Sequence, residues 1–189
     1  EKSHYQKIDL EYVDTNYRPR SNYRFTDLRD KWAGSLPKSE WHPGKSVLSF
    51  YRLCFRRQLP LSGERTLIAS ILPPDASHID SVFGVAVQDP LKLVLIAALC
   101  ASLPYDFIVR STGKFDFRNE MYGSLPLPQI DSKKSSIIAA RILSLVCLTT
   151  HYADLWSECW DDSFRKQRWA KDDPRLPNSF FNKLTPTWQ

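Results

Sequence analysis

Residues 91–103, Leu-Lys-Leu-Val-Leu-Ile-Ala-Ala-Leu-Cys-Ala-Ser-Leu, are apolar at almost every position. A helix wetted on one side repeats its apolar residues at three- and four-residue spacing, whereas one that is apolar on every face has to be covered on every face. The run is too short to cross a bilayer, which takes about 20 residues. It therefore predicts a central helix around which the rest of the chain packs. Asp89 can accept from the free N–H groups of the first turn and Pro90 suits the first helical position, so the helix starts there and ends near Ser102.

Before that helix the sequence favours strands. Residues 47–53, 66–72 and 81–87 are short, rich in strand formers and bounded by breakers such as Pro73-Pro74. After it, Pro104 opens a short helical piece to Arg110, and residues 111–131 are loop-rich, ending in Leu125-Pro126-Leu127-Pro128. Ile138, Ile142, Leu145, Val146, Tyr152, Ala153 and Trp156 then recur at helical spacing and predict one long helix over residues 133–158, capped by Ser132 or a neighbour. The expected fold class is α+β: a curved, mainly antiparallel sheet on a buried apolar helix, with a second long helix towards the C-terminus.

Residues 46–160 form the expected core. Residues 1–45 form an irregular or short-strand extension with one helical turn near residues 27–32 and a turn at Trp41-His42-Pro43-Gly44. There Tyr5, Tyr12, Tyr17, Tyr23 and Phe25 are interleaved with Arg18, Arg20, Arg24 and Arg29. Residues 161–189 form a polar, proline-rich tail, and its final stretch, residues 174–189, reads as a loop or an ordered tail and not as a helix.

Composition narrows the chemistry. With 42% hydrophobic and 13% aromatic residues the chain is not of the disordered class, and its net charge of +5 favours phosphate-bearing or acidic-membrane partners. Cys54, Cys100, Cys147 and Cys159 are too dispersed for a zinc ribbon or disulfide framework and read as free buried thiols. His78 with Asp80, and His151 with Asp154, lack further metal ligands in sequence and read as surface or capping groups. Cys147 and His151 are four apart, but Cys147 sits in a core-like run. No Asp/Asn-Pro-Pro-aromatic loop, no GxGxxG and no GxxxxGK[ST] is present, so neither methyl-transfer machinery nor a phosphate cradle is assignable. No apolar leader precedes residue 30. The expectation is a soluble cytoplasmic protein without membrane partners, and a piece of a longer chain.

Two basic clusters remain. Arg52, Arg56 and Arg57 surround Tyr51 and Phe55, while Arg110, Lys114 and Arg118 alternate with Phe115 and Phe117 beside Asn119. Phosphate contact needs mobile cations, and base reading needs Arg, Asn or Gln able to form paired hydrogen bonds. A solvated charged face with aromatic anchors would look the same. Arg65, leading straight into a strand, suits a structural ion pair.

Tyr51-Arg52-Leu53-Cys54-Phe55-Arg56-Arg57 followed by Glu64-Arg65-Thr66-Leu67-Ile68-Ala69-Ser70-Ile71-Leu72-Pro73-Pro74 resembles the C-terminal specificity (target-recognition) region of TaqI-like adenine-N6 DNA methyltransferases, as in type IIG restriction-modification and related phage-defence methylases. The similarity continues through Asp89-Pro90-Leu91, Tyr105-Asp106-Phe107-Ile108-Val109-Arg110, Leu125-Pro126-Leu127-Pro128 and Arg141-Ile142-Leu143, over residues 46–160. The resemblance implies a non-catalytic domain that grips double-stranded DNA beside a methyltransferase catalytic domain. That domain, in the same or a partner chain, takes the flipped adenine and binds S-adenosylmethionine. No cofactor and no catalytic residue is expected in this chain. The expected DNA contacts are Arg52, Arg56, Arg57, Arg110, Lys114, Arg118 and Asn119. The rival expectations are a specificity subunit serving a separate catalytic chain and a protein-interaction module of a multi-subunit restriction complex.

Overall fold

Leu53 and Phe55 alternate with Arg52, Cys54 and Arg56, and this period of two decides which face of the sheet becomes core. The computed structural model describes residues 7–9, 12–19, 29–177 and 179–188. Tyr5, Arg20, Tyr23, Arg24 and Phe25 of the N-terminal aromatic–arginine pattern, with His4, lie outside them. Among the described residues the chain runs α1 (Arg29–Ser35), β1 (Arg52–Arg56), β2 (Ala69–Leu72), β3 (Val82–Ala86), α2 (Pro90–Ala101), α3 (Leu103–Ser111), α4 (Asn119–Ser124), α5 (Ser132–Val146), α6 (Ala153–Glu158) and α7 (Ser179–Asn182). Short 3-10 turns occupy Val47–Ser49, Thr150–Tyr152 and Asp162–Lys166.

The sheet is small and antiparallel, in the order β2-β1-β3. Its register places Leu53 between Ile71 and Val85, and Phe55 between Ala69 and Phe83. These six residues make the core face. On the other face Cys54 lies between Ser70 and Gly84. A Cβ at Gly84 would come within 2.7 Å of Nε2 of the exposed His78 and 3.3 Å of Cys54 Sγ, so a side chain there would push the imidazole aside.

The apolar run forms α2 as its sequence demands. Asp89 accepts from the N–H groups of Leu91 and Lys92, and Leu93, Val94, Ile96, Ala97 and Cys100 are buried. The helix is covered by β1 and β2 on one flank and by α3, α5 and α6 on the others. No single helix among the described residues is long and apolar enough to cross a membrane.

Several expectations shift. The first strand begins at Arg52, because Ser46 caps a 3-10 turn at Val47–Ser49 instead. The loop over residues 111–131 contains α4, whose Met121 is buried. The long helix predicted over residues 133–158 is broken after Val146. Thr149 and Thr150 are β-branched and poor helix continuers, and the Cys147 carbonyl accepts from Trp188 Nε1 at 2.6 Å. The break lets Tyr152 donate to the Ile71 carbonyl at 2.9 Å and Tyr51 to the His151 carbonyl at 2.9 Å. Desolvation in this packing raises the Tyr51 hydroxyl to about 12. The C-terminal segment is ordered against the core, with Phe164 and Phe181 both fully buried, and it includes the single turn of α7 where a loop was expected.

Arg65 does form the structural ion pair its position suggests. Its Nε lies 3.3 Å from Asp106 Oδ1, and its other nitrogens donate to the carbonyls of Cys100, Ala101 and Ser102 at the end of α2. There the guanidinium meets orphan carbonyls and the negative end of the helix dipole. Asp106, 5% exposed, accepts from the N–H groups of Thr66 and Leu67 at 2.8 and 2.7 Å. Burial alone would raise its pKa, but the two backbone donors and Arg65 outweigh it and hold the carboxyl below its ordinary value.

Replacing Asp106 by Ala strands two buried N–H groups, and urea unfolding at neutral pH should show a loss of about 2–4 kcal/mol. A carboxyl held low in the folded state stabilises at neutral pH. That contribution drains away as pH falls below the ordinary carboxylate range and through the folded value. The stability gap between wild type and Asp106→Ala should therefore narrow on acidification, and an unchanging gap would contradict the charged role of Asp106.

Candidate nucleic-acid interface

Beyond Arg56 the edge of β1 finds a new partner. The Phe117 N–H donates to the Arg57 carbonyl at 2.7 Å, the Leu59 N–H donates to the Phe115 carbonyl at 2.9 Å, and Gln58 bridges Asp116 antiparallel. The alternation of residues 114–118 explains the pairing. Phe117 points inward, fully buried, and stacks on Phe55 with ring centroids 4.4 Å apart. Phe115 points outward and is 73% exposed. Gly113, at φ 65° just past α3, makes the reversal that an L side chain would strain. Lys114, Phe115, Arg118 and Asn119 are thereby held at the surface beside the extension of β1.

Arg57 fixes this arrangement. Its Nε and Nη2 fork onto the two oxygens of Asp116 at 3.1 and 2.9 Å, and its Nη1 meets the carbonyl and carboxylate of Asp80. Arg118 adds a bond from Nε to Asp116 Oδ2 at 2.6 Å. Bonds from Arg57 and then Arg118 hold the Asp116 carboxyl down at about 2. The same carboxylates raise Arg57 above its already high value.

The seven expected contact residues therefore separate. Arg52 is 4% exposed and donates to the carbonyls of Phe50, Pro73 and Ala76, tying the 73–76 loop to β1. Arg110 donates to the carbonyls of Leu61 and Gly63 and holds that loop against α3. Both guanidinium groups tie loops down: the buried Arg52 is thereby withdrawn from its expected contact surface, while the half-buried Arg110 spends Nη2 alone on these carbonyls. Arg57 orients the 114–118 segment. Lys114 lies 3.7 Å from Glu120, with both side chains exposed. Arg56 and Asn119 are exposed, and neither side chain makes an ion pair or hydrogen bond among the described residues. What is brought together is Arg57, Lys114, Arg118 and Asn119, with Arg56 one residue away along β1.

Asp116 went unnoticed in the sequence, although it sits between two phenylalanines in the same alternation as Lys114 and Arg118, and Asp80 drew notice only beside His78. Gln58, exposed opposite Asp116, carried no signal at all. The four cysteines are free and buried, and desolvation lifts Cys147 to about 12, so it stays a thiol. No cluster of three or more His, Cys, Asp or Glu able to hold a metal is found among the described residues.

Asp116→Ala should free the 114–118 segment without unfolding the chain. Hydrogen exchange at the Leu59 and Phe117 amides should quicken while amides in α2 keep their protection. Equal loss at both places would mean that Asp116 supports the whole core.

No family model, no curated protein and no solved structure matches the chain.

Proposed function

We propose that this chain recognises duplex DNA as the specificity domain of an adenine-N6 DNA methyltransferase in a restriction-modification or phage-defence system. Methyl transfer and S-adenosylmethionine belong to a catalytic domain elsewhere in the same or a partner chain. The observation that carries the reading is the segment 114–119, pinned to the extension of β1 and presenting Lys114, Phe115, Arg118 and Asn119 beside the unpaired Arg56. Arg118 spends Nε on Asp116 and keeps both terminal nitrogens for a base edge, where arginine forks onto guanine and asparagine onto adenine. Lys114 and Arg56 suit phosphate. In this reading the sheet is curved, with its Arg56–Gln58 end turned towards the duplex.

One observation favours a protein-docking role instead. Leu103 and Phe107, one turn apart on α3, are 72% and 71% exposed. Salt separates the two readings, because phosphate contacts release counterions and apolar docking does not.

Fluorescence anisotropy on duplexes carrying the preferred site should show affinity dropping about tenfold or more between low and physiological salt. Arg118→Ala should lower discrimination at one base pair by about 1–3 kcal/mol. Lys114→Ala should weaken all sequences alike and flatten the salt slope by about one. Salt-independent binding would remove the DNA reading and leave the docking one.

A further inference from the structure

The polar tail holds a cationic site. Residues 164–169 read Phe-Arg-Lys-Gln-Arg-Trp, and folding splits the aromatics from the charges. Phe164 is fully buried and Trp169 packs on Phe181 with ring centroids 4.7 Å apart. Arg165, Lys166 and Arg168 stay exposed. With Gln167 and Asn182 they line a cavity of about 560 Å³.

The backbone beneath is fixed. Arg141 donates to the Arg168 carbonyl at 2.6 Å while its guanidinium lies 5.4 Å from the centre of the Phe181 ring. Gln167 Nε2 bonds the Ser163 carbonyl at 3.1 Å, and Arg165 bonds the Leu184 carbonyl at 3.0 Å while lying over Trp160. Neighbouring carboxylates face other tasks. Asp161 accepts from the Ser163 N–H, Asp162 from Trp160 Nε1, and Asp173 holds Arg175. None of Arg165, Lys166 and Arg168 forms an ion pair with a carboxylate among the described residues.

Three cations without ion pairs, two side-chain amides and a concave floor form an anion site, and we propose that it binds backbone phosphates of nucleic acid. The inference rests on the DNA reading above and adds a clamp that its expected residues did not include. Guanidinium groups fork onto phosphate oxygens, an ammonium supplies a point charge, and the amides donate without discriminating among bases.

The test compares the full chain with Arg165→Ala/Lys166→Ala/Arg168→Ala, and with the milder Lys166→Ala/Arg168→Ala, which leaves the Arg165–Trp160 contact in place. A labelled duplex is titrated by anisotropy across a salt series, and circular dichroism checks folding. Each phosphate contact contributes about 0.9 to the slope of log affinity against log salt. The triple variant should lose between about two and three of that slope, and the double variant between about one and two, with base preference unchanged. A wild-type chain that binds the duplex with a slope both variants share would overturn the clamp and spare the DNA reading. A wild-type chain that binds no duplex even at low salt would overturn both.

Discussion

A helix that is apolar on every side imposes the architecture. α2 needs cover on most of its surface, and a three-stranded sheet is too narrow to do more than one flank, while the face of Leu91, Leu95 and Ala98 stays partly open. The remaining cover comes from α3, α5 and α6, with Phe164 and Phe181 of the last segment joining the same core. Burying side chains such as Leu93, Val94 and Ile96 contributes roughly 1.5–3 kcal/mol each, so this cover is what the fold's stability rests on. The break after Val146 follows from the same need, because it turns Tyr152 back onto the edge of β2.

So much helix around so little sheet leaves many backbone carbonyls in loops and at helix ends with no ladder to join. Arginine meets that need repeatedly. Arg52, Arg65 and Arg110 each donate to two or more main-chain carbonyls distant in sequence, and Arg141 donates to one, that of Arg168. A guanidinium has five donors in a rigid fork, so one side chain can hold a loop to a helix end, which lysine with its single point of charge does poorly. A basic composition in this chain is therefore partly a record of loops tied down, and only the remainder can act on a partner.

That division explains which features were legible. α2 and its Asp89 cap could be read because apolarity on every face and a capping residue are local signals. Arg65 was readable because it enters a strand directly. The loop-tying bonds of Arg52 and Arg110 were not legible, because whether a guanidinium meets carbonyls depends on loops 21 to 49 residues away, and no spacing encodes that. The helix over residues 133–158 looked continuous since its apolar stripe does continue across the break. The basic run at residues 165–168 was passed over because it sits in a polar, proline-rich stretch with no regular spacing, while the anchors that hold it, Phe181 and Arg141, lie 13 or more residues away.

The charges that do reach the surface fall into two chemically different groups. At the 114–119 segment, cations are held by Asp116, Asp80 and Glu120, so their positions are set while their net field is small. A guanidinium fixed by a carboxylate through Nε loses little freedom when its terminal nitrogens engage a base, which favours discrimination over raw attraction. Around residues 165–168 the cations form no ion pair among the described residues, and only the longer-range charge of Asp161 on Lys166 offsets their field, which favours affinity for any phosphate over choice of sequence. On the proposed function the chain needs both properties, and a single surface cannot supply them equally. Adding carboxylates to orient arginines weakens the pull on the backbone, and removing them frees the side chains to wander. Separating the two tasks in the chain lets each surface keep the charge balance its chemistry requires.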